Sequence, residues 1–567
     1  MDKNEKIGGG FNKVFAVSIG LFLVFLDSTV VNIALPTIMD EYDIGLDTAA
    51  WIINSFAITL AVSLVIFSKL ADIFGRLNIF IVGLTIFTIS SFMCGIAANE
   101  AFLIISRVIQ AIGGAMIIPS SMMLVRQAVP PEKVGTAMGI WGGVGALAMA
   151  VGPSIGGVVT EAIKWNWVFY INIPIILVTF PYIFYVFKGH KDNKIKMSIS
   201  FFSVLLLSLA VFFLTYAILN GDSIGWNSKK ILFYFAISIL SAILFFFLEK
   251  RTKSPLINYP IFKNKFYLGG ILSNVLSGII FMGVLILLPS FFVEAKGYST
   301  LEASFLISPF SIIILVVAPV VGKLIDKVGY LIPMICGYIF VLIGLSLFTR
   351  ITVDTEIKTL ILYMSFIGLG LGMMMVTSVT ICTASVPEKY ISLGSGVFAT
   401  TRSIGGAVGV ALFVSITSTS LNAYSKDSLN NSIERYKQAQ IPQYIKEKAI
   451  GDLTKKEWGF EKDRMEEKNK DSTDIKKEIV KNTELEVLSR LDGTPLSLEK
   501  KKEIEITASK ELKRIELIMK DIRDDIKKDR NSHITKAMTN SYFSGIILTI
   551  LFSTSIFFLK RKQSNRV

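Results

Sequence analysis

The sequence SKLADIFGR, residues 68–76, is a short polar interruption in a chain that is apolar over most of its length. A related sequence, GKLIDKVGY at residues 322–330, repeats its Lys, Leu, Asp and Gly at an offset of 254. A second pair of matching connections, VPPEK at 129–133 and VPEK at 386–389, has an offset of 257. Two unrelated basic loops are the simpler alternative. Two matches at nearly one offset favour a chain built from two repeated halves, an arrangement typical of membrane transporters.

The composition agrees with a membrane location for both halves. Of 567 residues, 52% are hydrophobic and 18% are charged, whereas soluble domains carry about 25% charged residues. Fourteen apolar runs are long enough to cross a bilayer core of about 30 Å as helices. These runs are residues 14–39, 48–68, 78–98, 102–125, 135–159, 168–187, 198–219, 230–248, 266–293, 301–321, 331–350, 359–381, 394–419 and 538–559. The sequence therefore predicts an all-α integral membrane protein with fourteen transmembrane helices.

The repeat divides these spans into domains. Spans 1–6 align with spans 9–14, which leaves spans 7 and 8 as an inserted two-helix hairpin between two six-helix bundles. A polar segment separates spans 13 and 14. The predicted domains are an N-terminal bundle, an insertion, spans 9–13, the polar segment, and span 14 with its tail, at residues 1–190, 191–262, 263–420, 421–536 and 537–567.

Basic residues predict the orientation of the chain in a plasma membrane. With the N-terminus in the cytoplasm, the short inner segments hold about 23 Lys and Arg and the short outer loops about six, as the positive-inside rule requires. An even number of spans returns the C-terminus to the cytoplasm. Residues 421–536 are then extracellular; they carry 27 basic and 24 acidic residues, but loops this long are translocated largely regardless of charge.

Several classes of protein are excluded by what the chain lacks. Its three Cys lie inside apolar runs and its two His lie in polar segments, which predicts no disulfide framework and no metal site. No nucleophile–base pair or phosphate-binding loop is present, so we expect no enzyme and no catalytic residues. The topology accounts for the basic excess, so no nucleic-acid partner is expected.

One carboxylate lies well inside a span. Asp27 falls near the middle of span 1, and an acid at this depth is a functional candidate by default. Its partner must be basic, and Arg107 in span 4 and Arg402 in span 13 lie within apolar runs. A proton-coupled cycle needs an acid that loses and regains a proton, and a mobile Arg could control that exchange. A permanent Asp27–Arg107 pair that only fixes helix packing is the alternative.

Other polar residues in the spans are candidates for lining a cavity. Gln110 shares a helix face with Arg107, and this face carries small residues suited to a cavity or a close helix crossing. The cavity-lining candidates are Asn32, Asn54, Gln110 and Arg402.

The repeated loops predict a gate. In the first loop three charged residues surround a glycine turn, and such a cluster could latch helix ends together in one state and release them in another. Basic anchors that only obey topology rules are the alternative. The candidate gating residues are Lys69, Asp72, Gly75, Arg76, Lys323, Asp326 and Gly329.

Span 5 is rich in glycine. Gly145, Gly152 and Gly156 keep the spacing that lets a neighbouring helix approach closely, Gly157 adds to the set, and Pro153 frees a backbone carbonyl. A hinge or seal between moving helices and ordinary close packing both fit this pattern.

Four ordered motifs resemble those of the major facilitator superfamily, and most closely its 14-span drug:proton antiporter branch. They are LDSTVVNIALP at 26–36, the 68–76 loop, RVIQAIGG at 107–114 and GPSIGG at 152–157. The resemblance implies export driven by proton influx, with the proton as coupling ion and no bound cofactor. It implies coupling roles for Asp27 and Arg107, gating by the 68–76 loop, and an antiporter motif on span 5.

Two departures from that branch bear on the substrate. Its exporters of cationic drugs typically carry further membrane-embedded carboxylates, whereas here Glu294 and Glu302 lie at the outer rim. We therefore expect neutral, lipophilic or amphipathic substrates.

The second departure is the length of residues 421–536. Helical runs at 474–491 and 498–528 predict a helical hairpin there. This hairpin could guide a substrate, dock a cell-envelope partner or act as a spacer. Export or flipping of a lipid or lipid-linked precursor is the alternative function, and a monomer in contact with membrane lipids is expected.

Overall fold

The protein is seen here as a computed structural model that describes residues 3–190, 192, 194, 200–252, 255–257, 260–387, 390–455, 481 and 498–559. Every regular element in these ranges is helical. Fourteen helices within them are long and apolar enough to cross a membrane. The predicted all-α membrane fold and its span count are confirmed.

The membrane-spanning helices are labelled α1–α14, so that each number is also the number of the span. Their bounds are Lys3–Tyr42, Leu46–Phe74, Arg76–Gly95, Glu100–Ala128, Val134–Ala162, Asn172–Val186, Phe201–Ile224, Lys229–Arg251, Lys265–Ser290, Thr300–Val328, Leu331–Phe348, Ile357–Ala384, Ile391–Gln438 and Leu498–Ser553. Shorter helices are Pro131–Lys133, Trp167–Tyr170, Pro260–Lys263, Phe291–Ala295, Gln443–Lys455 and Ile556–Leu559.

Glycines make the two matched turns possible. Gly75 separates α2 from α3 with φ of +102°, and Gly329 ends α10 with φ of +81°. Both values lie where side chains with a Cβ are strained, which explains why the repeat keeps Gly at this place. The backbone N–H of Gly75 donates to Ala71 O, and that of Gly329 donates to Ile325 O, so each turn also closes the preceding helix.

Helix α5 packs closely against two helices. On one face Gly145 and Gly156 meet α1: a Cβ added at Gly156 would lie 2.9 Å from the carbonyl oxygen of Val30. On another face Gly143 meets α10 of the C-terminal half, where an added Cβ would lie 3.1 Å from Cβ of Ala318. Small residues on both faces let α5 lie between the two halves at backbone contact distance.

The two halves share a hydrophobic core at the end that carries residues 68–76 and 322–330, called the motif end below. Buried residues of one cluster come from both halves, among them Val65 and Trp141 from the first and Val379 and Leu393 from the second. A separate cluster, which includes Leu26, Ile38, Trp165 and Phe169, is built from spans 1–6. Apolar burial of this extent holds the halves together at the motif end.

The inserted helices α7 and α8 pack on each other. The Ser238 hydroxyl donates to Ala210 O at 2.8 Å, and Tyr216 of α7 also contacts the ring of Trp51 on α2, with ring centroids 5.6 Å apart. The two spans left over by the repeat are therefore a helix pair beside α2.

The chain divides into two compact units. The larger comprises residues 1–293, 297–415 and 541–567, and the smaller comprises residues 294–296 and 416–540. The longer stretch of the smaller unit, residues 416–540, begins five residues before the predicted segment 421–536 and ends four residues after it. Residues 498–528 are helical, as predicted, whereas the predicted helix 474–491 lies outside the described residues apart from Lys481.

The smaller unit has a core of its own. Tyr436, Ile445, Ile515 and Ile526 are among its buried residues, and Tyr424 stacks on His533 with ring centroids 5.5 Å apart. The end of α13 and the start of α14 thus pair within this unit.

Candidate functional site

Of the two arginines that the sequence offers as partners for Asp27, Arg107 is the one that contacts it. Asp27 of α1 and Arg107 of α4 are each 1% exposed, and Nη1 of Arg107 donates to Oδ2 of Asp27 in an ion pair. Removing one member of such a buried pair leaves an uncompensated charge, which costs about 3–5 kcal/mol.

The other carboxylate oxygen of Asp27 is also satisfied. Oδ1 accepts from Nε2 of Gln110 at 2.9 Å and from Nδ2 of Asn172 at 3.1 Å. Both amides also donate to the hydroxyl of Ser91, at 3.3 and 3.0 Å. The carboxylate is therefore held by four helices of one half: α1, α3, α4 and α6.

Arg107 is positioned by contacts of its own. Its Nε donates to Ile52 O at 3.3 Å, and its Nη1 donates to Oε1 of Gln110 at 2.7 Å. The guanidinium lies 4.1 Å from the ring centroid of Phe56 and 5.8 Å from that of Phe169, a cation–π geometry. The aromatic rings and the carboxylate together replace the water that the charge has lost.

Gln110, a predicted cavity-lining residue, is fully buried in this conformation. Its amide is bonded to Asp27, Arg107 and Ser91. Asp27 is buried as well, because its carboxylate is enclosed by Arg107, Gln110 and Asn172. Of the remaining cavity candidates, Asn32 is exposed, while Asn54 and Arg402 are half-buried.

The first gating loop connects the two halves. Oδ1 of Asp72 accepts from the hydroxyl of Ser392, which lies in the first turn of α13, and from Nη2 of Arg76 at 3.2 Å. Nη2 of Arg76 also donates to the Ser392 hydroxyl at 3.3 Å. Lys69 is buried and donates to Pro255 O at 3.3 Å. Residues 68–74 form the last turns of α2 and Arg76 begins α3, so the predicted loop is helical apart from Gly75. These residues thus join α2 to the second half and to the segment after α8.

The second loop makes the reciprocal contact. Oδ1 of Asp326 accepts from the backbone N–H of Gly135 at 3.0 Å, and Oδ2 accepts from the backbone N–H of Thr136 at 3.1 Å. The Thr136 hydroxyl adds a bond of 2.8 Å. Asp326 therefore occupies the N-terminus of α5, where the helix dipole favours a negative charge.

The two loops are alike in geometry but not in every residue. Asp72 reaches the first turn of α13 and Asp326 that of α5, and these helices are equivalent in the two halves. Lys323, however, is exposed, whereas Lys69 is buried. Tyr330 takes the place of Arg76, so the second loop has no counterpart of the Asp72–Arg76 ion pair.

The antiporter-motif residues lie on α5, between the two halves. Gly145, Gly152 and Gly156 face α1, and Gly157 faces Leu301 of α10, where an added Cβ would lie 3.3 Å from Cδ1. Pro153 lies inside α5, which continues through it to Ala162.

Several residues of these sites were not singled out from the sequence. Ser91 and Asn172 hold Asp27, and Ser392 and Thr136 receive the two loop aspartates. Asn172 carried a usable signal, since an amide inside an apolar span needs a buried partner. Ser91, Ser392 and Thr136 gave no such signal in the sequence, because Ser and Thr hydroxyls in helices usually bond to the backbone of their own helix.

The described residues contain no group of three or more His, Cys, Asp or Glu side chains that could hold a metal ion.

A fourteen-helix bundle with matched halves and a buried ion pair defines a membrane transporter. The family model of the Major Facilitator Superfamily matches residues 17–410, and the chain belongs to this family. It is accordingly a multi-pass membrane transporter and not an enzyme.

Named relatives align with this chain over about three quarters of their own length. The chain is 29% identical over 423 residues to multidrug resistance protein Stp of Mycobacterium tuberculosis, covering 74% of this chain and 78% of that protein. It is 29% identical to the tetracenomycin C resistance and export protein of Streptomyces glaucescens, covering 70% and 74%. It is 26% identical to the probable multidrug resistance protein EmrY of Escherichia coli, covering 71% and 79%.

Two solved transporter structures have a fold similar to that of this chain. The human organic anion transporter MFSD10 superimposes with a TM-score of 0.52 at 13% identity, covering 72% of this chain and 93% of that chain. The proton:xylose symporter XylE does so with the same TM-score and identity, covering 71% and 88%.

Proposed function

We propose that the protein exports lipophilic or amphipathic small molecules by alternating access and couples each export step to inward proton movement. The relatives named for multidrug resistance or for export of a drug support this substrate class. The alternative, movement of a lipid or lipid-linked precursor, gains no support from them.

The main structural support for the proposal is the Asp27–Arg107 ion pair. Asp27 is the one carboxylate well inside a span, and here it is paired with Arg107 and buried. A proton binds to it only when Arg107 withdraws and water reaches the site. Opening of the exporter to the outside, withdrawal of Arg107 and protonation of Asp27 are then linked steps. Return of Arg107 expels the proton towards the cytoplasm.

The proton supplies the energy for export. Each proton that moves inward gains about 2.3 kcal/mol per 100 mV of membrane potential, and a pH gradient adds to this. An uncharged substrate exchanged for one proton is concentrated outside by roughly tenfold for each 1.4 kcal/mol supplied.

The motif end faces the cytoplasm in this proposal. The excess of Lys and Arg in the short segments on this side supports the assignment, which places both termini in the cytoplasm and residues 421–536 outside the plasma membrane. The contacts of Asp72 with Ser392 and of Asp326 with Thr136 then close the cytoplasmic end. They must break before a substrate enters from the cytoplasm.

The protein would work as a monomer surrounded by lipid, with no bound cofactor and no nucleic-acid partner. One fourteen-helix chain contains both halves of the alternating-access unit. The extracellular segment is a self-contained spacer or a docking point for a cell-envelope partner.

The test is transport by the purified full-length chain in proteoliposomes. A lipophilic fluorescent dye should move when a pH gradient is imposed and stop when a protonophore collapses it. Asp27→Asn should abolish gradient-driven movement. The matched control Asp222→Asn changes an exposed acid and should transport normally. Equal transport by both variants would refute the proposal.

A further inference from the structure

The second arginine inside the spans, Arg402, is in a different situation from Arg107. It lies on α13, 11 residues after Ile391, which places it about 16 Å along the helix and near mid-membrane depth. Within the part of the chain that the structure describes, no carboxylate forms an ion pair with it. Its polar contact is Nη2 to Sδ of Met375 at 3.9 Å.

The position of Arg402 is at the boundary between the halves. Its guanidinium lies 5.9 Å from the ring centroid of Phe25 on α1, whereas Met375 belongs to α12 of the second half. Phe25 is two residues from Asp27 and packs near Gly145 of α5. Arg402 therefore lies at the depth of the coupling pair and on the surface between the halves, where substrates of an alternating-access transporter bind.

The charged side chains at this depth, Asp27, Arg107 and Arg402, sum to one positive charge. Arg107 neutralises the negative charge of Asp27, and the side-chain amides of Gln110 and Asn172 donate hydrogen bonds to the same carboxylate. Arg402 is half-buried and keeps its charge without a protein anion. An arginine held inside a membrane without a partner is expensive and marks a functional site. Among the described residues no carboxylate completes the site, so a ligand from outside the protein can do so.

We propose that Arg402 recognises the charge of the substrate and selects amphipathic molecules that carry one carboxylate. The inference rests on the proposed export function and names its substrate class. The planar guanidinium pairs with a carboxylate through two parallel N–H···O bonds. Phe25, which is half-buried, supplies apolar surface for the body of the same molecule. A cation meets repulsion at this place, and a neutral molecule gains only the apolar contacts.

The test compares two probes with the same pyrenebutyryl body, 1-pyrenebutyric acid, which is anionic at neutral pH, and its uncharged methyl ester. Binding to the purified full-length chain is measured by fluorescence anisotropy at pH 7.5. Arg402→Gln should raise the Kd of the acid at least tenfold and change that of the ester less than twofold. Arg402→Lys should retain an intermediate affinity for the acid, because the charge remains without the planar fork. Arg350→Gln, which removes an exposed loop cation, should change neither Kd.

Met375→Glu tests the same claim with Arg402 in place. A glutamate carboxylate at this position would pair with the guanidinium, so the acid should again lose at least tenfold in affinity while the ester binds normally. Ester binding shows that each variant is folded. An acid-to-ester Kd ratio unchanged in both Arg402→Gln and Met375→Glu would overturn the proposal.

The export function can fail independently of this site. If the acid binds through Arg402 but no pH gradient moves either probe, export is refuted and charge recognition stands. If the gradient drives both probes equally in wild type and Arg402→Gln, export stands and charge recognition is refuted.

Discussion

The carboxylate of Asp326, near the end of α10, receives hydrogen bonds from both the backbone N–H and the hydroxyl of Thr136, in the first turn of α5. This contact crosses from the second half of the transporter to the first. The corresponding aspartate of the first half, Asp72, receives the hydroxyl of Ser392 in the first turn of α13. The motif end is therefore closed by two equivalent contacts, each between an acid and the start of a helix.

Asp326→Asn should weaken this closure. The change removes a charge that the helix dipole stabilises by up to about 2 kcal/mol in partly buried geometry. Cys382 reports on the result, because it is 1% exposed within the shared core at the motif end. We expect its rate of alkylation by N-ethylmaleimide, followed by peptide mass spectrometry, to rise at least threefold. Lys327→Gln, which changes an exposed residue near the end of the same helix, is the control and should leave the rate as in wild type. A variant with wild-type alkylation would show that Asp326 does not hold the end closed.

Ser392→Ala should weaken the first contact in the same direction. It removes the hydrogen bond to Asp72 and leaves the Asp72–Arg76 ion pair in place. A hydrogen bond to a charged group contributes about 1.5–3 kcal/mol, so alkylation of Cys382 should increase several-fold. The control is Ser90→Ala, since Ser90 is also buried but bonds only to its own helix. Equal rates in the two variants would contradict a gating role for the contact.

Gly156→Ala should damage the α1–α5 contact. An added Cβ would lie 2.9 Å from Val30 O, and because this neighbour is backbone the helices must separate, at a cost of about 1–3 kcal/mol. Transport should fall at least fivefold and the thermal unfolding midpoint of the purified protein should drop. Gly142→Ala is the matched control on the same helix, because nothing lies within 4 Å of its added Cβ and Ala favours a helix over Gly by about 1 kcal/mol. The unfolding midpoint of Gly142→Ala should equal or exceed that of wild type. A lower midpoint for Gly142→Ala than for Gly156→Ala would refute close packing as the reason for the glycine pattern.

Removal of residues 425–532 should leave dye export within twofold of wild type. The smaller unit buries its own apolar residues, and the rings of Tyr424 and His533, which flank the deletion, lie 5.5 Å apart. A short Gly/Ser linker can therefore join the two ends. Proteoliposome transport of the lipophilic dye is the measurement. Loss of export by a variant that still purifies as a folded monomer would show that the segment guides the substrate.

The sequence predicts the spans and the charged residues of the site because their signals are strong and local. Fourteen apolar runs need no tertiary information, and an acid in an apolar run such as Asp27 stands out against its neighbours. The partner Arg107 follows because few basic residues lie at this depth. The repeat likewise points to Asp72 and Asp326 before their partners are known.

The partners of the loop aspartates could not be predicted in the same way. Ser392 and Thr136 are ordinary helix residues whose importance depends on which helix ends meet. The burial of Gln110 depends on α3 and α6 closing over it, which a face pattern on α4 alone does not reveal. The two glycine-lined faces of α5 are visible in the sequence, but their assignment to α1 and α10 requires the packed halves.

The most direct test of the coupling claim is proton release on substrate binding. The purified full-length chain in weakly buffered solution is mixed with a lipophilic substrate while a pH indicator is followed. If substrate binding favours the state in which Arg107 pairs with Asp27, wild type and Asp222→Asn should release the proton that Asp27 carries in the opened state, whereas Asp27→Asn should bind the substrate without release. Proton release by Asp27→Asn equal to that of wild type would contradict the account, because the proton would then come from another group.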